Sequence, residues 1–339
     1  MSTRPNRKVL MGSYHLGDRA VPFIRRMEEA GLEVIRNPFG RIYTEDEVIA
    51  ALPGVFATFA SVEPYTDRVF REATDLQIVA RYGVGYDQID VAAATRHGVM
   101  VAMAFGTNHE AVADSAFTLM AASVQRTVTH HLRVRGGGWG MDIHPGLWRL
   151  TVGIVGLGRI GKAMARRCRG FEMRVLAYDI RPDVAFAREN NVELVSLETL
   201  LRESDVVTLH IPHTPETDNF MNRERFGLMK PTAHLINTSR GGVVDEGALH
   251  EALAAGRISG AGLDVFKQEP PKGSPLLALD TVVFSPHSAG SNLTSEAAVG
   301  NRCVDSILAV ARGESPGTEY LLNSEVLHPG RGRMSGRQA

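Results

Sequence analysis

The sequence predicts an α/β protein with two parallel, doubly wound sheets, one of them inserted into the chain of the other. Three observations predict it. Short apolar runs alternate with stretches of helical period from end to end, the pattern of parallel strands joined by crossover helices. A glycine fingerprint, Gly156-Leu157-Gly158-Arg159-Ile160-Gly161, stands between one such run and one such helix. The chain has 339 residues, room for two domains of roughly 150 each.

In the first unit, strands are expected at Val9–Met11, Glu33–Ile35, Gly54–Phe59, Gln77–Arg81 and Val99–Ala102. Between the first two lies a helix over Val21–Ala30, with Phe23, Met27 and Ala30 on one face. A long helix follows from Thr107, where Thr107-Asn108-His109-Glu110 has the form of a capping box and Ala113, Ala116, Phe117, Met120 and Val124 make an apolar stripe. The glycine run Gly136–Gly138 with Gly140 reads as a loop. Six strands are expected after it: Thr151–Val155, Arg174–Tyr178, Val206–His210, His234–Asn237, Gly260–Asp264 and Val282–Ser285. A last helix over Thr294–Arg312 carries the stripe Val299, Cys303, Ile307 and Val310 and stops at Gly313. The substrate domain is therefore expected to be split, 1–104 with 292–323, around a nucleotide domain at 105–291. The two long helices would serve as the hinge, and 324–339 would be a disordered tail.

Composition narrows the partners. A formal charge of −1 offers no electrostatic footprint for nucleic acid or an anionic membrane surface. No run approaches the roughly 20 apolar residues of a membrane span, and only Val9-Leu10-Met11 follows the N-terminal basic residues, so a cytoplasmic protein is expected. Two cysteines, Cys168 and Cys303, make no disulfide framework and are expected on apolar helix faces. No metal-ligand spacing is evident.

The fingerprint is persuasive through its context. Gly156 permits the tight turn, Gly158 lets backbone amides approach a pyrophosphate, and Gly161 lets the helix pack on the strand, while the helix N-terminus favours the phosphate charge. Asp179 ends the next strand, 18 residues beyond Gly161, where an acid can accept both ribose hydroxyls of NAD and repel a 2′-phosphate. Arg181, two residues on, softens that repulsion.

Three polar groups then recur after successive strands: Arg240 in Asn237-Thr238-Ser239-Arg240-Gly241-Gly242, Glu269 in Asp264-Val265-Phe266-Lys267-Gln268-Glu269-Pro270, and His287 in Ser285-Pro286-His287-Ser288-Ala289-Gly290. The chemistry of a 2-oxo acid joins them. A guanidinium holds a carboxylate by a planar fork and polarises the adjacent carbonyl. An imidazole protonates the nascent alkoxide as hydride arrives, and a carboxylate beside it orients the ring and favours the imidazolium. Each residue alone reads as a surface or loop group; their order after six strands of a dinucleotide sheet is what points to catalysis.

These motifs resemble the D-isomer-specific 2-hydroxyacid dehydrogenases, including glyoxylate/hydroxypyruvate reductases and short phosphoglycerate dehydrogenases, densely from Leu76 to Asn323. The blocks Lys230-Pro231…Leu235-Ile236-Asn237-Thr238-Ser239-Arg240-Gly241-Gly242, Leu263-Asp264-Val265-Phe266…Glu269-Pro270 and Pro286-His287…Gly290 are similar to the family's three signatures, and 204–217 to its segment beside adenine and ribose. The resemblance implies two Rossmann-like doubly wound domains, the NAD-binding one inserted in a flavodoxin-like substrate domain, and a homodimer. It implies Arg240, Glu269 and His287 as catalytic residues. It also implies NAD contacts from Gly156, Gly158, Arg159, Ile160, Gly161, Asp179, His210, Pro212, Thr217, Thr238, Asp264 and Gly290, with Asp264 on the nicotinamide carboxamide. The loop Arg81-Tyr82-Gly83-Val84-Gly85-Tyr86-Asp87 is similar to the one whose Val84 and Gly85 amides grip the substrate carboxylate, and domain closure would then expel water.

The chain departs from the family in places. Asp114 stands where the family often has Glu, and it keeps the capacity to cap or pair. Val84, where a Lys would suggest phosphite oxidation, favours a carboxylate substrate. The loop Ser13-Tyr14-His15-Leu16 is expected at the substrate's C3 end and matches no subgroup. Trp139 falls in the arm that reaches a partner's cleft or packs in an interface. The expected function is hydride transfer between NAD(H) and a small D-2-hydroxy or 2-oxo acid. An NAD-gated corepressor-like module and a formate- or phosphite-type dehydrogenase are the alternatives.

Overall fold

The computed structural model describes residues 7–328, in two compact units. The first comprises the chain up to Asn108 together with the segment from Asn292, and the second is His109–Ser291.

The first unit is built on a five-stranded parallel sheet, β1 (Arg7–Met11), β2 (Leu32–Arg36), β3 (Val55–Ala60), β4 (Ile78–Arg81) and β5 (Met100–Met103), in the order β2-β1-β3-β4-β5. This is the doubly wound order with its switch point between β1 and β3. Strands β3, β4 and β5 are almost wholly apolar because both their faces are covered, whereas the edge strand β2 carries Glu33 and Arg36. Val9 and Met11 face a layer with Phe23, Met27, Cys303, Ile307 and Val310, from the helices Val21–Glu29 and Leu293–Ala311. Leu10 points the other way, into a layer with Val48, Phe70 and Ala93. Pleat alternation thus sorts one apolar strand into two cores. Gly313, in the left-handed region at φ 82°, ends the last helix as expected.

The second unit holds seven parallel strands rather than six: β6 (Thr151–Val155), β7 (Arg174–Tyr178), β8 (Val192–Leu194), β9 (Val206–Leu209), β10 (His234–Asn237), β11 (Gly260–Leu263) and β12 (Val282–Phe284), in the order β12-β11-β10-β9-β6-β7-β8. The unexpected strand β8 is a short edge strand with only Val192 buried, and Glu193 reaches Arg174 on β7 at 2.9 Å. Such an edge needs no apolar run, which is why sequence patterning misses it. Three strands end one residue before the sequence places their ends, so His210, Asp264 and Ser285 begin the loops that follow.

Other expectations shift for identifiable reasons. The unit boundary lies at Asn108, not Ala104, because Thr107 stays tied to the β5 exit by donating to the Ala104 carbonyl at 2.6 Å. The capping box is replaced by ion pairs: Glu110 turns to Arg166 and Arg167 of the helix Arg159–Arg169, and Asp114 joins Arg167 at 2.6 Å. After the helix His109–Val124, Arg126 takes φ 51° and a separate helix, Thr127–Arg135, follows. The tail does not begin at residue 324. Ser324–Leu327 forms a 3-10 turn because Val326 is buried in the first unit's core, and the remainder of the expected tail, 329–339, lies outside the described residues.

The C-terminal segment closes the β5 edge through the Leu322 amide, which donates to the Val101 carbonyl at 3.0 Å, and through the side chain that follows it. Asn323 is fully buried; its Oδ1 accepts from the Val101 amide at 2.9 Å, and its Nδ2 donates to the Val99 carbonyl at 2.9 Å and to Thr95 at 3.1 Å. Asn323→Ala leaves a buried amide and a buried carbonyl without partners, and should lower unfolding free energy by about 2 kcal/mol. The shift in the urea midpoint at unchanged m-value measures it.

Candidate active site

The site of the second unit is assembled at the carboxyl ends of its strands, where doubly wound sheets bind ligands. Between β6 and the helix Arg159–Arg169, Gly156 has φ 95°, and a Cβ there would lie 2.6 Å from the His210 carbonyl oxygen. A Cβ on Gly161 would lie 2.1 Å from the Gly156 oxygen, so helix and strand pack at backbone distance. Gly158 is exposed, with nothing within 4 Å of where its Cβ would be. Arg159 and Ile160 open the helix. Asp179, one residue past β7, is seated beside this turn: Oδ2 accepts from the Leu157 amide and Oδ1 from the Arg181 amide, both at 2.7 Å. Each oxygen keeps a further lone pair for a hydroxyl donor.

Two orphaned polar atoms lie at the ends of neighbouring strands. His210 Nδ1 and Thr238 Oγ1 are shut off from solvent and have no hydrogen-bond partner. A cradle that excludes side chains, an acid at the ribose position and two unsatisfied polar atoms together fit a dinucleotide. Thr217 is used differently: its hydroxyl donates to the Pro212 carbonyl and accepts from the Thr214 amide, both at 2.7 Å, and so closes the turn that presents Pro212.

The catalytic candidates follow three neighbouring strands, β10, β11 and β12. Arg240 follows β10 and leans back on its turn, with its guanidinium donating to the Ser239 carbonyl at 2.7 Å. A Cβ on Gly241 would lie 1.9 Å from the Phe266 backbone, so the arginine turn interlocks with the loop after β11. In that loop, Glu269 accepts from the Phe266 amide through Oε1 at 3.0 Å and meets His287 Nδ1 through Oε2 at 2.7 Å. The structure brings the sequence-predicted Glu–His pair into contact and leaves Nε2 as the other imidazole nitrogen.

His287 sits at φ 50°, an uncommon conformation for a residue with a side chain. Asp264 holds it there. The His287 amide donates to the Asp264 carbonyl at 2.8 Å. The buried Asp264 carboxylate accepts from Ser285 Oγ at 2.6 Å, the Ser288 amide at 2.9 Å and the Ala289 amide at 3.0 Å. These three partners all lie in the histidine loop or at its start, a role the sequence reading missed; the signal for it was an acid at the end of an apolar strand. Gly290 closes the same loop, whose Ala289 carbonyl receives Ser115 Oγ from the helix His109–Val124 at 3.0 Å. Val84 and Gly85 lie in the first unit, in the loop after β4. Among the described residues, no group of three or more His, Cys, Asp or Glu is placed to hold a metal ion, and no helix is long and apolar enough to cross a membrane.

Burial holds the imidazoles of His210 and His234 down at about 4. Between pH 6.5 and 4 the unfolded chain therefore binds protons that the fold refuses, so stability falls as pH drops through this window. At pH 5 the loss should be on the order of 2 kcal/mol per histidine. Urea midpoints at pH 7 and pH 5 measure it, and His234→Gln should flatten the dependence.

Comparison with known proteins agrees with this geometry. The sequence model of the D-isomer specific 2-hydroxyacid dehydrogenase NAD binding domain matches residues 117–289. A glyoxylate reductase of Korarchaeum cryptofilum is 46% identical over 272 residues, spanning 78% of this chain and 81% of that protein. A glyoxylate reductase of Pyrococcus furiosus is 43% identical over 320 residues, spanning 89% and 95%. The crystal structure of a D-lactate dehydrogenase from Aquifex aeolicus, complexed with NAD and lactic acid, superposes with a TM-score of 0.81 at 28% identity, covering 93% of this chain and 99% of that one. With its dinucleotide turn and its Glu–His pair, the chain belongs to the D-isomer-specific 2-hydroxyacid dehydrogenases, NAD-dependent oxidoreductases that move hydride between the cofactor and a 2-hydroxy or 2-oxo acid.

Proposed function

We propose that this enzyme reduces a small 2-oxo acid, glyoxylate or hydroxypyruvate, with NADH. The observation that carries the reading is the 2.7 Å contact between Glu269 and His287 one strand away from the Arg240 turn. The glyoxylate reductases among its relatives supply the substrate class.

NAD(H) supplies or accepts hydride at its nicotinamide. The chain's own residues do the rest. Gly156, Gly158, Arg159, Ile160 and Gly161 take the pyrophosphate, Asp179 the ribose hydroxyls, and His210, Pro212, Thr217, Thr238, Asp264 and Gly290 line the remainder. The Arg240 guanidinium binds the substrate carboxylate and polarises its carbonyl. His287 gives a proton from Nε2 to the carbonyl oxygen, while Glu269 fixes the ring through Nδ1. Val84 and Gly85 are assigned to the substrate carboxylate on the sequence resemblance. We further propose a homodimer, because Leu132, Trp139, Met141 and Ile143 leave apolar side chains exposed on the helix Thr127–Arg135 and the loop after it. The need for a nicotinamide pool and the two unpaired buried cysteines suit the cytoplasm.

NADH oxidation followed against glyoxylate, hydroxypyruvate, pyruvate and branched 2-oxo acids tests the reading; no turnover on any of them overturns it. His287→Ala should lower kcat by about 100-fold or more with NADH affinity retained. Arg240→Ala should act chiefly through KM for the oxo acid. NADH should exceed NADPH in kcat/KM, since Asp179 repels a 2′-phosphate; the reverse order would discard its assignment.

A further inference from the structure

We infer that Asn237 is a positioning residue for substrate binding, the side chain that sets the Arg240 guanidinium. This rests on the role proposed for Arg240. Asn237 is the last residue of β10 and is 1% exposed. Its single amide group ties two points of the turn that carries the arginine. Oδ1 accepts from the Ser239 amide at 3.0 Å and from Ser239 Oγ at 2.7 Å. Nδ2 donates to the Arg240 carbonyl at 2.9 Å. The backbone oxygen of Asn237 meanwhile accepts from the Asp264 amide at 3.0 Å, which joins this turn to the strand leading to the histidine loop.

The chemistry is specific to asparagine. The turn presents a donor pair on one side and a carbonyl acceptor on the other, and a planar amide answers both at once. Water has no access to replace it. Aspartate has nearly the same shape but offers oxygen on both sides, so one oxygen would face the Arg240 carbonyl. The turn would then open, and Arg240, which starts the 3-10 turn Gly241–Val243, would lose its aim. The pyrophosphate turn and Asp179 lie on other strands, after β6 and β7, so of the residues assigned to NADH the opened turn carries only Thr238.

The test compares wild type, Asn237→Asp and Asn237→Ala. Kinetics use the 2-oxo acid that the wild type reduces best. Equilibrium binding is measured for NADH and, on the NADH complex, for oxamate, a carboxylate analogue of the substrate. For both variants the expected result is a rise of about tenfold or more in KM and in the oxamate Kd, with the NADH Kd, which can lose only the single contact assigned to Thr238, changed less than about fivefold. A purely structural role would lower kcat or the yield of folded enzyme and leave KM and oxamate binding alone, and that result overturns the inference. Should both variants fail to fold, Ser239→Ala removes only the Oγ bond. It should raise KM two- to fivefold, on the order of one neutral hydrogen bond, and an unchanged KM there also overturns the inference. A wild type inactive on every 2-oxo acid overturns the proposed function, and this inference with it. An active wild type with indifferent variants overturns only the role of Asn237.

Discussion

The chemistry proposed for this site depends on one hydrogen bond, between His287 Nδ1 and Glu269 Oε2. Both side chains are substantially exposed, at 49% and 36%, and an ion pair in that setting adds little stability of its own. Its geometry therefore has to come from behind. Glu269 is pinned by the Phe266 amide, and His287 is held at positive φ by bonds to Asp264. The strain of that backbone conformation is offset by a buried carboxylate that accepts three hydrogen bonds from the same loop. Rigidity is built into backbone contacts so that an exposed pair can stand at a fixed distance.

The same logic recurs one strand away. Asn237 and Asp264 are both buried at strand ends, and both direct their hydrogen bonds into the loops that carry Arg240 and His287. Buried polar side chains are costly unless satisfied, and once satisfied they allow few alternative loop conformations. Gly241 completes the arrangement by allowing backbone to touch backbone between the two loops. The cofactor end of the sheet is different. Its polar atoms at His210 and Thr238 are left unsatisfied, and Gly158 faces open space, as a surface shaped for a ligand requires.

Much of this was legible in the residues. Apolar runs and glycine turns marked all but one strand, because parallel strands covered on both faces must be apolar throughout. The exception, Val192–Leu194, is an edge strand under no such demand. The capping box at Thr107 was misread, since a local motif competes with tertiary partners and Arg166 and Arg167 lay far away in sequence. The likeness gives Asp264 a place beside the cofactor, and the structure adds that its carboxylate holds the histidine loop.

By itself, the sequence determined the two-sheet class and the glycine turn, and it singled out Arg240, Glu269 and His287 as candidates. These follow from short-range rules: side-chain period, glycine spacing and the order of motifs after strands. Only the tertiary structure decided which oxygen of Glu269 meets the histidine, what holds His287 at positive φ, and that Asn237 clamps the arginine turn. Those are hydrogen bonds set by the direction of single lone pairs and N–H groups, and a linear pattern carries no information about direction.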